Sequence, residues 1–517
     1  MNRKTVSPAW VIALISIPIF VGALDLTVVS AVLPHVVYDL EIPQTEINNA
    51  AWIVSGYLLA YTIAMTFMGR LSDLIGRRKV YLLALAIFAL GSYLVAVADA
   101  WPTRLALRGY YLFFEGRPDP AHVSLTLLVA ARMIQAFGGG AMVPVGMALA
   151  GDLYPAEQRA RALGLIAAVD TSGWVVGHLY GGVVTRYFDW RVIFWLNLPV
   201  CLLGFILIAR TMRSLPTLPR QGGMDWPGAV LISLSLTALN IGLGSAGNGW
   251  SESGGTFNPG ASGSLSVYGL PAIGIAAVFL LLFIWRQARI AWPLVPPALF
   301  QRPNFAAAGL ANFLIGFGLF VAIANVPLFI NTLVAQTLEQ GAWDSGWMLS
   351  GLTVPMALAS IPGGWLTVRY GYRWPAWVGL GGTVIGFGLM STWKMETSYG
   401  TMIPHLVLAG IGFGLTIAPL AAAAINTASS AYRGAASALV IIFRLIGMTI
   451  SVSVMATYGQ ARFNQLSAEL FAMSGNLYQA GMDAVTQVIR ETFLIAAMVC
   501  GLALIPILLL RTERRTE

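Results

Sequence analysis

The sequence has few residues of the kinds that bind metals or form disulfides: two cysteines and four histidines among 517 residues. Cys201 and Cys500 lie in apolar stretches far apart in the sequence, so they indicate neither a disulfide framework nor a thiol–metal site. The sequence also lacks a Walker phosphate-binding loop, an HExxH zinc motif and a nucleophile elbow. These absences argue against an ATP-driven pump and a metalloenzyme, and we expect no metal and no cofactor.

Charged residues are scarce as well. They make up 10% of the chain, and hydrophobic residues make up 57%, whereas soluble domains contain about 25% charged residues. With a mean hydropathy of +0.75, this composition predicts a polytopic protein embedded in the lipid bilayer. The net charge of +8 does not indicate a nucleic-acid partner, because the cations lie in short loops between apolar runs.

Apolar runs of about twenty residues, the length that crosses a bilayer, predict fourteen membrane-spanning helices. Most of the 30 Lys and Arg residues then fall in the loops on the side of both termini, which the positive-inside rule assigns to the cytoplasm. We therefore expect an all-α, multi-pass protein of the cell (inner) membrane with both termini in the cytoplasm. The helices are placed near residues 9–33, 47–68, 79–98, 123–150, 160–184, 192–210, 226–246, 266–286, 305–332, 344–367, 374–392, 402–426, 434–458 and 490–511.

A charged segment at residues 69–79 (GRLSDLIGRRK) connects the second and third predicted helices. It resembles the signature loop of the major facilitator superfamily, G-x-L-a-D-r-x-G-r-k-x, and departs from it mainly at Leu74. The glycines suit tight turns and close helix approach, and Asp73 can cap the following helix or hold an arginine. The candidate gate residues of this segment are Gly69, Asp73, Gly76, Arg77 and Arg78.

A weaker copy of this pattern, residues 364–373 (GWLTVRYGYR), follows the tenth predicted helix, with Val368 in place of the aspartate. Such a repeat supports two halves around a central site, as in secondary transporters. With the resemblance, it implies the major facilitator fold: six-helix bundles at residues 1–212 and 301–517, and two extra helices within residues 213–300.

The first predicted helix carries an acid, Asp25, in LDLTVVSAVLP. The segment resembles the L-D-x-T-i-V-n-x-A-L-P signature of the fourteen-helix drug:proton antiporters of the EmrB/QacA type. A carboxylate at this depth costs at least ~2.5 kcal/mol, so it must face a cavity or a partner. Both a proton-carrying role and a helix-pairing role are open.

The fourth predicted helix contains Arg132 in LVAARMIQAFGGGA, which resembles the family element l-x-x-x-R-x-x-q-G-x-g-a-a. At ~1.5 Å per residue, Asp25 and Arg132 lie about equally deep, so an ion pair between them is geometrically feasible. The run Gly138 to Gly140 has no phosphate-loop context and suits close helix packing instead.

The fifth predicted helix begins DTSGWVVGHLYGG at Asp170 and is similar to the antiporter element g-x-x-x-G-P-x-x-G-G, with His178 in place of the proline. This departure puts strict antiport in doubt, and His178 is either a packed or a titrating residue. Asp170 either shares Arg132 or titrates in its own right. The glycines of the helix-packing element are Gly173, Gly177, Gly181 and Gly182.

Polar and aromatic residues elsewhere complete the candidate site. Arg444, in the thirteenth predicted helix, resembles the arginine of the family element R-q-l-G-g-a-i-G and lies at about the depth of Asp170. With Asp25, Asp170 and Arg132 it forms the expected proton-coupling set. For the cavity residues, helix packing is an equally good interpretation. These residues are Tyr57, Tyr61, Asn312, Phe317, Asn325 and Asn426.

The resemblance covers nearly the whole chain and implies a proton-coupled exporter of amphipathic compounds, working by alternating access, as in multidrug efflux. One alternative is a lipid or metabolite exporter or facilitator of the same fold, favoured by His178 and the long outer loop. A membrane-embedded transferase is a third reading, but only four scattered histidines are available to it. Expected partners are a small amphipathic substrate, protons and the bilayer, with a periplasmic adaptor protein as a further candidate; the chain is expected to be a monomer.

Three connecting segments have their own expectations. The outer loop at residues 100–122 is rich in aromatics, so it lies on the membrane surface or covers the outer mouth. Residues 247–266 are rich in Gly and Ser, which favours flexibility. Residues 459–491 are of mixed polarity and predict one or two surface helices.

Replacing His178 with proline tests the departure from the antiporter element. We expect His178→Pro to reduce proton leak in proteoliposomes, because a bent helix seals the outer half more closely against its neighbour. Leak and substrate flux are measured on one preparation. Unchanged leak with lost flux would contradict the sealing role and place His178 in the transport site.

Overall fold

The computed structural model describes residues 7–43, 47–50, 52–113, 119–214, 222–244, 269–335 and 338–511. Within these ranges the regular structure is helical, apart from short connecting turns. The helices are α1 Pro8–Asp39, α2 Ile47–Ala50, α3 Trp52–Ile75, α4 Arg77–Ala96, α5 Trp101–Phe113, α6 Pro120–Leu153, α7 Ala156–Tyr187, α8 Arg191–Thr211, α9 Trp226–Gly244, α10 Gly269–Gln287, α11 Pro297–Phe300, α12 Pro303–Phe329, α13 Leu338–Tyr370, α14 Arg373–Met390, α15 Tyr399–Thr427, α16 Arg433–Ser474 and α17 Leu477–Leu508.

A helix lies at each of the fourteen places where a span is predicted. In the described part of the chain, 12 helices are long and apolar enough to cross a membrane. The two others are α7, which carries charged residues at both ends, and α14, which has 18 residues and opens with the sequence RWPAW. The chain is therefore an all-helical membrane protein with twelve candidate spans, and the count of fourteen stays a prediction.

The described helices form two compact units, and neither is continuous in sequence. In the first unit, Val28 and Val32 of α1 pack with Val95, Leu128 and Phe194 of α4, α6 and α8. The predicted division at residues 1–212, 213–300 and 301–517 stays a prediction. The first unit comprises Met1–Leu153, Ser172–Met224 and Ala431–Ala438; the second comprises Tyr154–Thr171, Asp225–Ser430 and Leu439–Glu517.

An aromatic cluster fills the core of the second unit. The ring of Trp393, which follows α14, lies with its centroid 5.4 Å from both Phe329 of α12 and Phe493 of α17. Phe493 in turn stacks on Phe387 of α14 at 6.3 Å. Edge-to-face and offset aromatic contacts of this kind favour fixed side-chain geometry. The cluster thus holds α12, α14 and α17 together.

Helices α16 and α17 differ from the expectation for residues 459–491. In place of separate surface helices, α16 continues without a break for 42 residues to Ser474. A turn at Gly475, which has a φ of +66°, then leads into α17, capped by the side chain of Asn476. At ~1.5 Å per residue α16 is about twice as long as the ~30 Å hydrocarbon core is thick, so part of it extends beyond the membrane.

Glycines in α6 bring that helix against its neighbours. A Cβ atom at Gly138 would collide with the backbone of Phe88 in α4, and one at Gly140 would collide with the carbonyl of Tyr61 in α3. The prediction that this glycine run allows close helix packing is confirmed at both positions. Backbones that approach this closely gain van der Waals contact without needing an apolar driving force, which helices lack in lipid.

Substituting Gly138 tests this packing. We expect Gly138→Ala to lower thermal stability in detergent, because overpacking a tight contact costs ~1–3 kcal/mol. The control is Gly381→Ala in α14, where a Cβ atom would meet no atom within 4 Å. Gly381→Ala should leave the melting temperature unchanged or raise it slightly, because alanine favours helix more than glycine does. Equal melting temperatures for the two variants would contradict the packing argument.

Candidate functional site

The first unit contains a buried polar cluster built around Asp25. The side chain of Asp25 is fully buried, and Arg132 of α6 donates from Nη1 to its Oδ2 at 2.6 Å. Arg132 Nη2 also donates to the carbonyl oxygen of Asp25 at 3.3 Å. The predicted ion pair between α1 and α6 is therefore present.

Three further polar side chains complete the cluster. Gln135 donates from Nε2 to Asp25 Oδ1 at 3.0 Å and accepts from Arg132 Nη1 at 2.6 Å. Asn197 of α8 donates to the same carboxylate oxygen at 3.4 Å, and Ser92 of α4 accepts from Gln135 at 2.8 Å. Both carboxylate oxygens of Asp25 thus have donors, as a buried charge requires.

Sequence reasoning did not assign Gln135, Ser92 or Asn197 to the site. A signal existed for Gln135, because it follows Arg132 by three residues and shares its helix face. Tyr57 was predicted as a cavity residue, and its ring centroid lies 4.0 Å from the Arg132 guanidinium carbon. A cation over an aromatic face is stabilised by the ring's electrons, so Tyr57 belongs to the Asp25 cluster.

The second unit holds another pair of buried charges, between two residues of the expected proton-coupling set. Asp170 of α7 and Arg444 of α16 are each about nine-tenths buried, and their nearest charged atoms lie 3.8 Å apart. Among the described residues, Asp170 Oδ1 and Arg444 Nε have no hydrogen-bond partner. The expected sharing of Arg132 is not seen among the described residues, where Asp170 faces Arg444 instead; whether Asp170 titrates stays a prediction. This pair is looser and less satisfied than the pair of Asp25.

A charged cluster lies where α3 and α4 meet α16, and we call it the junction cluster: Asp73, Arg77, Asp152 and Arg433. Asp73 accepts from the backbone N–H groups of Gly434 at 3.0 Å and Ala435 at 3.2 Å, in the first turn of α16. It also pairs with Arg77. Arg77 and Arg433 both contact Asp152 at 3.0 Å.

Two roles were considered for Asp73, capping the following helix or holding an arginine. The structure shows the second, together with a role that was not considered. Asp73 holds an arginine, Arg77, as one alternative expected. It does not cap α4, whose N-cap is Gly76 at a φ of +100° with no side-chain cap. It caps α16 instead, where its negative charge meets unpaired N–H groups and the positive end of the helix dipole.

Of the remaining gate residues, Gly69 lies at the same junction and Arg78 contacts another helix, α8. A Cβ atom at Gly69 would clash with the carbonyl of Gly434, so only glycine allows α3 to approach α16 this closely. Arg78 donates to the carbonyl of Ala209 near the end of α8 at 2.8 Å. Orphan carbonyls at a helix C-terminus favour such a cation.

The weaker sequence copy at residues 364–373 forms a similar junction in the second unit. A Cβ atom at Gly364 would clash with the carbonyl of Ala160 in α7, as one at Gly69 would with α16. Here the acceptors are neutral side chains in place of carboxylates. Arg159 donates to Asn426 at 2.9 Å, and Asn426 donates to Tyr372 at 2.7 Å. Asn426 therefore lies at the end of α15 and not at mid-span.

The glycines of the helix-packing element lie against α1. Cβ atoms at Gly173 and Gly177 would clash with the α1 backbone at Phe20 and Leu24, next to Asp25. Gly181 is buried, and Gly182 has open space around it. The side chain of His178 lies outside the described part of the structure, so its role stays a prediction.

The predicted cavity residues are distributed over both units. Tyr61 stacks on Tyr57, with centroids 6.0 Å apart, in the first unit. In the second unit, Asn312 donates to its own helix at the carbonyl of Ala308, and Asn325 donates to Thr492 of α17 at 3.1 Å. Phe317 is buried. These amides make helix contacts, and a cavity role for the set stays a prediction.

Comparison with known proteins gives consistent matches along the chain. The family model described as Major Facilitator Superfamily matches residues 15–451 and 308–517. A probable triacylglyceride transporter of Mycobacterium leprae is 30% identical over 510 residues, covering 94% of this chain and 92% of that protein. A triacylglyceride transporter of Mycobacteroides abscessus is 32% identical over 461 residues, covering 87% of this chain and 82% of its own length.

Solved structures match the fold at low sequence identity. The proton:xylose symporter XylE, bound to 6-bromo-6-deoxy-D-glucose, aligns with a TM-score of 0.59 at 14% identity, covering 96% of this chain and 95% of that one. The human organic anion transporter MFSD10 aligns with a TM-score of 0.58 at 14% identity, covering 96% of this chain and 100% of its own. At this identity the likeness concerns the fold alone.

A double-mutant cycle tests the Asp25 cluster. We expect Arg132→Met alone to destabilise the protein by ~3–5 kcal/mol, because it leaves a buried carboxylate without its cation. Asp25→Asn combined with Arg132→Met should recover much of that loss, because no buried charge then remains. Thermal unfolding in detergent measures both, with the exposed Arg186→Met as control. Additive losses in the double variant would contradict the pairing.

Proposed function

The chain belongs to the Major Facilitator Superfamily, and from that premise we propose that it is a proton-coupled exporter of a neutral lipid of the triacylglyceride class. As a member of this family it is a secondary transporter and not an enzyme. The observation that carries the lipid proposal is its 30–32% identity, over most of its length, to proteins named as triacylglyceride transporters. The lipid alternative is thus better supported than multidrug efflux.

The buried charges support a neutral substrate. Asp25 is paired with Arg132, and Asp170 with Arg444, so these four side chains carry no net charge together. Binding a cationic drug in a low-dielectric site requires an acid that is free to pair with it. Because both of these acids already face an arginine, the arrangement favours an uncharged, apolar substrate. Export of amphipathic cations remains the second candidate, on the antiporter motifs alone.

The two acids differ in what a proton would break. Protonating Asp25 disrupts a 2.6 Å ion pair and weakens the bonds that Gln135 and Asn197 donate to it, and each buried donor left unsatisfied costs ~1–3 kcal/mol. Protonating Asp170 ends one 3.8 Å ion pair. We therefore assign the coupling proton to Asp170. Asp25 instead has a structural role, in which its polar cluster holds α1, α4, α6 and α8 together.

The junction cluster supplies the switch of the proposed cycle. Alternating access requires contacts that form in one state and break in another. Asp73 accepts two hydrogen bonds from backbone N–H groups in the first turn of α16. Its ion pair with Arg77, which also pairs with Asp152, reinforces these contacts. They can be released together if α16 moves away from α3. Residues 69–79 would then control the rate of the cycle and not the affinity for lipid.

The proposed setting is the cell membrane, with fourteen spans, both termini in the cytoplasm and the junction cluster on the cytoplasmic side. The concentration of cations on that side of the predicted topology supports this orientation. We further propose a monomeric chain. A periplasmic adaptor that receives the exported substrate stays a candidate partner, because a triacylglyceride is too apolar to cross water unaided.

Transport in proteoliposomes tests the function. A fluorescent triacylglyceride and a cationic dye are followed separately, with and without an imposed proton gradient. The proposal expects lipid movement that the gradient accelerates, and no gradient-driven dye accumulation. Dye accumulation without lipid movement would favour multidrug efflux, and lipid movement indifferent to the gradient would indicate a facilitator.

Neutralising Asp170 tests the coupling assignment. We expect Asp170→Asn to reduce gradient-driven lipid flux at least about tenfold, equivalent to ~1.4 kcal/mol in the barrier, while the protein stays folded. Asp483→Asn, at an exposed position of α17, should retain normal flux. Wild-type flux and pH dependence in Asp170→Asn would remove Asp170 from the coupling role.

Weakening the junction cluster should slow transport without weakening lipid binding. Asp73→Asn has one acceptor oxygen where the carboxylate has two, and it loses the charge that attracts Arg77. We expect flux to fall by about tenfold while the lipid Kd in detergent stays near the wild-type value. The control is Asp189→Asn, which alters a partly exposed ion pair with Arg191. A parallel loss of affinity in Asp73→Asn would argue against a gate.

A further inference from the structure

The short helix α5 is fixed at one end of two membrane-spanning helices. Thr103 is buried and donates to the carbonyl of Ala98 at 2.7 Å, just after α4. Its hydroxyl also lies 3.1 Å from that of Ser124 in the second turn of α6. Because α4 ends at Ala96 and α6 begins at Pro120, these bonds hold the first turn of α5 at the level where two spans leave the membrane.

The face of α5 opposite Thr103 is apolar and exposed. Trp101 is 48%, Leu105 61% and Leu112 79% exposed. At 100° per residue these three positions fall within a narrow stripe of the helix surface. Leaving such a stripe in water is unfavourable, because its apolar surface stays hydrated. An apolar stripe at the edge of a bilayer is instead suited to the acyl-chain boundary.

Two arginines border this stripe. Arg104 and Arg108 are exposed and stand one helical turn apart, so they share one side of α5 and lie next to Trp101 at the edge of the stripe. Neither forms an ion pair with a described residue, and the α5 sequence WPTRLALRGYYLF contains no acid. Long arginine side chains beside an apolar face extend toward the headgroup layer, where they attract phosphate groups.

From this combination we infer that α5 is an interfacial helix that binds anionic phospholipids. The apolar stripe (Trp101, Leu105 and Leu112) contacts the acyl chains of one leaflet. The guanidinium groups of Arg104 and Arg108 bind headgroup phosphates of lipids in that leaflet. Charge complementarity selects the occupant, because a zwitterionic headgroup offers no net charge to two cations that have no acidic partner among the described residues. The inference requires only that α4 and α6 span the membrane, and it does not depend on the transported substrate.

Site-specific fluorescence on the full-length protein tests the depth of α5. Both native cysteines, Cys201 and Cys500, are buried, so an environment-sensitive fluorophore can be directed to Leu105→Cys. In liposomes of phosphatidylcholine with brominated acyl chains, the label should emit at shorter wavelength and be quenched. The control is a label at Ser474→Cys, at the end of α16 beyond the membrane, which should remain unquenched. Equal, weak quenching at the two positions would overturn the inference. It would indicate that the apolar stripe of α5 faces water and binds a soluble partner instead.

Lipid selectivity is tested with the same label in mixed membranes. Two samples contain phosphatidylcholine and phosphatidylglycerol in equal amounts. In one sample only the phosphatidylcholine is brominated, and in the other only the phosphatidylglycerol. Brominated phosphatidylglycerol should quench the L105C label more strongly, and the preference should vanish in Arg104→Gln/Arg108→Gln. Arg186→Gln, which removes another exposed cation, should retain it.

The L105C protein alone is enough to decide the outcome. Equal quenching by the two brominated lipids in that protein would overturn the anionic preference, whether or not the arginine variants fold. A preference that persists in Arg104→Gln/Arg108→Gln would likewise contradict the assignment of these two side chains as the phosphate ligands.

Discussion

A buried charge in a membrane protein must be compensated inside the protein, and the Asp25–Arg132 pair is where this constraint shapes the first unit. Gln135 of α6, Ser92 of α4 and Asn197 of α8 form one hydrogen-bonded cluster with this pair. Glycines at 173 and 177 bring α7 against α1 beside it. An acid whose hydrogen bonds and ion pair reach four helices in this way contributes to the packing of all four.

The second unit meets the same constraint less completely. Asp170 and Arg444 face each other at 3.8 Å, and one polar atom of each side chain has no hydrogen-bond partner among the described residues. The junction cluster has the complementary property: several strong contacts converge on the first turn of α16, so a single movement of that helix breaks them together. In the cycle that we propose, the tight Asp25–Arg132 pair holds helices together, the looser Asp170–Arg444 pair carries the proton, and the junction cluster opens and closes.

Much of this arrangement was predictable from sequence, and the failures have physical reasons. Helix positions followed from apolar runs, and the Asp25–Arg132 pair followed from equal depth. Depth alone could not tell that Asp170 faces Arg444, because it leaves the rotation of each helix undetermined. The α16 backbone groups that Asp73 caps lie 361 and 362 residues away, beyond any local signal. Mixed polarity in residues 459–491 suggested separate surface helices, whereas in the structure most of these residues belong to α16 and α17 themselves. A helix longer than the bilayer is thick can carry polar side chains on the part that extends beyond it.

For a proton on Asp170 to drive lipid export as we propose, lipid and that proton must occupy the transporter alternately, so that each excludes the other. The most direct measurement is proton release from purified protein in weakly buffered detergent solution, followed with a pH indicator as a triacylglyceride is added. The account predicts release from the wild-type protein and from the Asp483→Asn control, and none from Asp170→Asn at the same lipid occupancy. Equal release from Asp170→Asn, or release on adding a cationic dye but not a triacylglyceride, would contradict it.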